Sequence, residues 1–214
     1  MSMGKQGTHT KIINRLAKQK LAPLGIIQKG RSRTWLDDNQ WWLTVIEFQP
    51  SSGGKGTYLN VGVNWLWHVK DYLSFDYGYR EHDFVEYKDD EQFTEAAEKI
   101  VGVAMHQVGH YRKKFATIEK AARILNRRRK RDFWSSFNAA IASGIVGDKK
   151  RATKSFEKVL AFPKEYNWIV EAQNSAQALL ALVDKPDVFR KRTEEEIRKM
   201  RSLLGLPDIQ NIQW

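Results

Sequence analysis

His106 and His110 stand four residues apart in His-Gln-Val-Gly-His, and in this 214-residue chain they are the pair whose types and spacing first suggest chemistry. On a helix that spacing puts both imidazoles on one face, as a zinc pair requires. Proteolytic zinc chemistry also needs a Glu after the first His as general base, and Gln107 cannot accept a proton. No third ligand follows, so two exposed histidines and no bound metal are expected. Glu47 is the one acid in the otherwise apolar run around Ile46 and Phe48. Facing a cavity, it would have a raised pKa and serve as an acid or base; facing Arg31 or Arg33 across a hairpin, it would form an ion pair, which is the expected outcome. Glu47 and the His106/His110 pair together define an enzymatic alternative, a hydrolase or transferase.

Lys29, Arg31, Arg33 and Trp35 occupy alternate positions. In one extended segment all four would leave the same face, forming a basic stripe that ends in an indole. Such a stripe can grip phosphate or carboxylate through its guanidinium groups, with Trp35 as a stacking platform. The alternative is an edge strand guarded by charge against strand addition. Ser51 to Thr57 contains the Gly, Lys and Thr of a phosphate-cradling loop, but a strand follows where a helix is needed, so a hairpin loop is expected. Arg127, Arg128, Arg129, Lys130 and Arg131 form the densest basic run. On a helix they point around the whole circumference, which favours a solvated junction or an internal contact to the acidic Asp71–Glu91 segment over a nucleic-acid helix.

The elements that must position these groups follow from periodicity. Ile13, Ala17, Leu21 and Leu24, with Ile12 and Leu16, predict a helix over about 10–22 that Pro23 and Gly25 end. Residues 26–36 and 40–49 read as two strands around Asp37-Asp38-Asn39, and 57–65 as a third, with Leu59, Val61, Val63 and Trp65 on one face. The 40–49 strand is apolar on both faces and hence central, with the first helix as its cover. Residues 67–88 read as loop with a short strand at 83–87. From Phe93 to Leu125 the period is helical, with a kink or break at Gly102 or Gly109. Further helices are expected at about 131–145, 148–161, 165–182 and 193–204, the last capped by Thr193 and Glu196 and stopped by Gly205 and Pro207.

The predicted fold class is therefore α+β: an N-terminal antiparallel or mixed sheet with a packed helix over 1–90, followed by an all-α helical-hairpin region over 91–214. Residues 1–90 hold 12 Lys/Arg against 10 Asp/Glu, and residues 91–214 hold 24 against 15, so the basic excess belongs to the second part. The chain has no Cys, which excludes disulfides and thiolate chemistry and suits the cytoplasm. No apolar run approaches the ~18 residues of a membrane span, and no signal-peptide pattern opens the chain. Five of the eight Trp fall between Trp35 and Trp67, the mark of a sheet core or an aromatic-lined pocket.

The series Leu24-Gly25-Ile26-Ile27-Gln28-Lys29-Gly30-Arg31, Val45-Ile46-Glu47-Phe48-Gln49 with Ser51, and Tyr58-Leu59-Asn60-Val61-Gly62-Val63 resembles an uncharacterised bacterial family over about residues 9–115. Lys29, Arg31, Gln49, Asn60 and Gly62 match its pattern, and Ile26 replaces its usual aromatic. The resemblance implies a small α+β fold in a bacterium and carries no activity. Residues 134–163, within a hairpin of about 131–163, resemble a tetratricopeptide unit through Ala139, Ala140, Gly147, Asp148, Ala152, Phe156, Val159 and Leu160. The functional expectation is a non-enzymatic binding protein without cofactor. It would recognise a protein or anionic ligand through Lys29, Arg31, Arg33, Trp35, Gln49 and Asn60. A nucleic-acid-associated protein using the stripe and Arg127–Arg131 is the alternative.

Overall fold

A computed structural model describes residues 7–127 and 132–214. The chain divides into two compact units, one comprising the described residues up to Asn64 with Leu73–Lys113, the other Trp65–Tyr72 with Lys114–Trp214. The first contains a five-stranded antiparallel sheet and the second is helical, so the fold is α+β. No helix among the described residues is long and apolar enough to cross a membrane.

In the first unit, α1 (Thr8–Leu21) buries Ile12, Ile13, Leu16, Ala17 and Leu21. A 3-10 turn over Ala22–Leu24 ends it at Gly25, whose φ of 79° lies in the left-handed region that glycine enters without cost. Strands β1 (Ile27–Gln28), β2 (Thr34–Asp38), β3 (Trp42–Gln49), β4 (Gly56–Trp65) and β5 (Tyr77–Glu86) then follow in spatial as in chain order. The apolar β3 is the central strand, and Trp35, Trp41 and Trp42 are all buried.

Two strands differ from expectation. The single strand predicted over 26–36 is broken, because residues 29–33 form a tight turn. Lys29 N–H donates to the Thr34 carbonyl (2.9 Å), Gly30 has φ 59°, and the Ser32 hydroxyl donates to the Lys29 carbonyl (2.7 Å). β5 runs ten residues where a short strand was expected, since its Arg80, Glu81, His82 and Asp83 give an edge strand the composition of a loop.

Helix α2 (Asp90–Lys114) belongs to this unit and passes unbroken through Gly102 and Gly109. The chain breaks instead just before α3 (Ile118–Arg127), where the Thr117 carbonyl accepts the Ala121 N–H and starts a new helix. The units thus part near residues 65–72 and at 113/114, rather than at residue 90 where the period changes. What ties α2 to the sheet is Asp37 on β2, whose side chain is 3% exposed. Arg112 Nη2 donates to its Oδ1 at 2.5 Å and Nε to its Oδ2 at 3.1 Å, while Thr44 Oγ1 and Asn39 Nδ2 donate at 3.2 and 2.9 Å. Arg112 Nη2 also reaches the Leu24 carbonyl at 2.8 Å. Hydrogen bonding to Asp37 raises the Arg112 pKa.

The second unit continues with α4 (Phe133–Ile145), α5 (Lys149–Leu160), α6 (Asn167–Leu180) and α7 (Pro186–Leu203). Residues 128–131 of the basic run lie outside the described residues. α4 and α5 form a helical hairpin whose turn holds Gly147 at φ 76° and Asp148, which caps α5 by accepting the Arg151 N–H. Ala139, Ala140, Ala152 and Phe156 are fully buried, as small and large residues must be where antiparallel helices meet. Trp65 stacks on Trp67 at 4.9 Å, and Trp67 Nε1 donates to Asn138 Oδ1 at 2.8 Å, which secures the 65–72 segment to α4. The capping box expected at Thr193 is not formed: α7 begins at Pro186, whose fixed φ suits the first turn. Thr193 is buried within the helix and donates to the Phe189 carbonyl at 3.0 Å.

Removing the Asp37 carboxylate leaves Arg112 only the Leu24 carbonyl and takes the acceptor of the buried Thr44 hydroxyl. Asp37→Ala is expected to cost about 3 kcal/mol in urea unfolding, with Asp37→Leu/Arg112→Met recovering most of it; equal stability of single and double variants contradicts this. Gly144 faces the buried Phe189 ring, which a methyl would strike. Gly144→Ala should therefore lose stability despite a helix-propensity gain of ~1 kcal/mol, because overpacking costs ~1–3 kcal/mol. Gly102→Ala, with open space around it, should gain about 1 kcal/mol by the same measurement.

Candidate ligand-binding site

Thr34 lies opposite Glu47 in the β2–β3 register, so Thr34, Glu47 and Gln49 share one face of the sheet and Trp35, Ile46 and Phe48 the other. On β4 the first face carries Tyr58 and Asn60. Asn60 is the hub: its Nδ2 donates to Glu47 Oε2 at 2.8 Å and to Gln49 Oε1 at 2.9 Å, and its Oδ1 accepts from Arg80 Nε at 3.4 Å. Arg80 lies across the ladder from Asn60 on β5. Its Nη2 donates to Gln49 Oε1 at 3.0 Å, and its guanidinium sits 4.0 Å over the Tyr58 ring, which in turn packs on Phe84 at 5.1 Å. Arg80 is thus fixed by two amide side chains and an aromatic face while remaining exposed. A guanidinium held this way presents its remaining N–H groups in a set direction, which suits a carboxylate or phosphate.

The basic stripe does not take the expected form. Lys29 and Arg31 project from the 29–33 turn and are exposed, whereas Trp35 is 1% exposed and belongs to the core. Arg33 is half-buried on the opposite face from Glu47, its Nη2 donating to Thr10 Oγ1 at 2.8 Å and its Nη1 to the Gly56 carbonyl at 3.2 Å. Burial lowers its pKa. The Glu47 ion pair with Arg31 or Arg33 is likewise replaced by the hydrogen bond from Asn60, because the hairpin register places Thr34 across from Glu47. Of the predicted residues, Gln49 and Asn60 come together. Arg80 and Tyr58 complete the group, and sequence reasoning missed Arg80 because its strand reads as loop.

His106 and His110 are exposed on α2, and among the described residues no group of three or more His, Cys, Asp or Glu is placed to hold a metal ion. Arg127 is exposed at the end of α3. In the second unit a cavity of about 130 Å³ is lined by Trp67, His68, Phe137, Glu171 and Arg192, with Arg192 already paired to Glu196 at 2.6 Å. No family model matches the chain, and neither does any curated protein or solved structure.

Beside Arg33, His9 packs on Tyr87 at 5.7 Å and on Phe93 at 6.2 Å. Burial lowers its pKa below the ordinary 6.5, and the positive charges of Arg33 and Lys55 add to the effect. The fold therefore prefers the neutral imidazole: its contribution to stability is present above pH 6.5 and lost as pH falls through the lowered value. In an NMR titration His9 should titrate below 6.5, and Lys55→Gln should move it part of the way back. A His9 midpoint at or above 6.5 contradicts the packing and charge described.

Proposed function

We propose that this protein is a non-enzymatic binding module that takes an anionic group of a partner at the sheet face carrying Arg80. The observation that supports this reading is the guanidinium itself, exposed yet held by Asn60, Gln49 and Tyr58. A side chain already ordered gives up little rotamer entropy on binding, which otherwise costs ~0.5–1.5 kcal/mol. Lys29 and Arg31 in the 29–33 turn and Lys55 in the β3–β4 loop are exposed at the end of the sheet where β3 finishes and β4 begins, so that end of the sheet adds positive charge that attracts anions before contact. Gln49 and Asn60 orient the arginine, and Glu47 fixes Asn60 by accepting its amide.

Titration with octaglutamate and with inorganic phosphate, followed by NMR, tests this. At ~10 mM probe, where a ~1 mM site is nearly full, the Arg80 Nε–H and the Asn60 and Gln49 amide signals should shift. Arg80→Lys should weaken binding about tenfold, since the loss of one charge-assisted hydrogen bond is worth ~1.5–3 kcal/mol. Unmoved signals with both probes, or unchanged affinity in Arg80→Lys, overturn the proposal.

A further inference from the structure

A second cationic feature lies in the helical unit. A cavity of about 210 Å³ is lined by Asn126 at the end of α3 and by Arg151, Lys154, Ser155 and Lys158 of α5. The three cations recur at intervals of three and four, which puts them along one face of α5. Arg151 is paired with Asp148 at 3.0 Å. Lys154 and Lys158 are exposed. Like charges four apart on a helix destabilise it by ~0.2–0.5 kcal/mol, and a bound anion converts that repulsion into attraction. The floor of the cavity is fixed: Asn126 Nδ2 donates to the Ala122 carbonyl and to Ser143 Oγ, both at 2.8 Å, and Ser155 is 2% exposed.

We infer that this face of α5 is a phosphate-backbone site for nucleic acid. Length decides between a single anion and a chain of them. Seven residues separate Arg151 from Lys158, or ~10 Å at 1.5 Å per residue, so the three cations form a line rather than a point, which suits a row of phosphates better than one small anion. The local charge balance agrees, since the chain beyond residue 90 carries 24 Lys/Arg against 15 Asp/Glu. No base-reading element is involved, so binding is expected to be independent of sequence. The site shares no residue with the Arg80 face, and either can fail alone.

The test uses the full chain with a fluorescein-labelled 20-nucleotide RNA and a 20-base-pair DNA of the same sequence, read by anisotropy from ~50 to ~200 mM salt. Affinity should fall steeply with salt. Lys154→Glu/Lys158→Glu should weaken binding at least tenfold at ~100 mM salt and reduce the slope of log K against log salt by about 2, at ~0.9 per phosphate contact. Lys11→Glu/Lys18→Glu on α1 makes the same change of net charge at exposed positions and should cost less than about threefold. Unfolding midpoints confirm that each variant is folded, and Lys154→Gln/Lys158→Gln serves if charge reversal perturbs the helix. No binding of either nucleic acid at the lowest salt, equal losses in the two double variants, or a phosphoserine peptide binding these lysines where neither nucleic acid does, each overturns the inference.

Discussion

A carboxylate that is 3% exposed must be answered on every side, and the sheet-containing unit is built around the answer to Asp37. An unpaired buried charge costs several kcal/mol, a large part of the ~5–15 kcal/mol by which a domain is stable. Its partners come from the hairpin tip (Asn39), the central strand (Thr44) and the last turn of α2 (Arg112), and Arg112 also holds the turn after α1 through Leu24. The hairpin register is thereby set, with Asp37 across from Thr44 and Thr34 across from Glu47. A slip of one residue would exchange the faces, sending Trp35 to solvent and Glu47 into the core. The polar group around Asn60 exists on an accessible face because Asp37 is held on the other one.

Three arginines of this unit illustrate how placement decides what a residue type does. Arg112 answers a buried acid, and Arg33 ties α1 to the start of β4 through Thr10 and Gly56. Both donate to acceptors that join one element to another. Arg80 receives the same kind of support, from two amide oxygens and a ring, but on a solvent-facing strand with donor capacity remaining. A guanidinium has five N–H donors, so two satisfied by the fold orient it without exhausting it.

Much of the fold was legible in the sequence because it rests on local periodicity. The extents of α1 and β4, the central position of β3 and the α4–α5 hairpin follow from spacing that burial enforces. The misreadings share another cause. The strand predicted over 26–36 was interrupted by Gly30 and Ser32, whose turn chemistry outweighs an alternation of Lys, Arg and Trp. β5 gains its order from pairing with β4 across a bulged register, which no window of its own sequence contains. Thr193 reads as a cap locally, but Pro186 starts the helix two turns earlier. Half of the Asn60 group was therefore visible, Gln49 and Asn60 on strands that were recognised, and Arg80 was hidden with its strand.

The two cationic features differ physically in ways that bear on what each could discriminate. Arg80 is a planar fork fixed in direction, so its selectivity would come from geometry and its binding energy from short charge-assisted bonds that salt screens weakly. Lys154 and Lys158 are flexible point charges in open solvent, within reach of a Debye length of ~10 Å at 0.1 M, and their attraction falls as ions compete. Two of the acids in 71–91 are held by neutral donors within the sheet-containing unit, Glu81 accepting from Gln107 at 2.6 Å and Asp90 from Tyr87 at 2.6 Å.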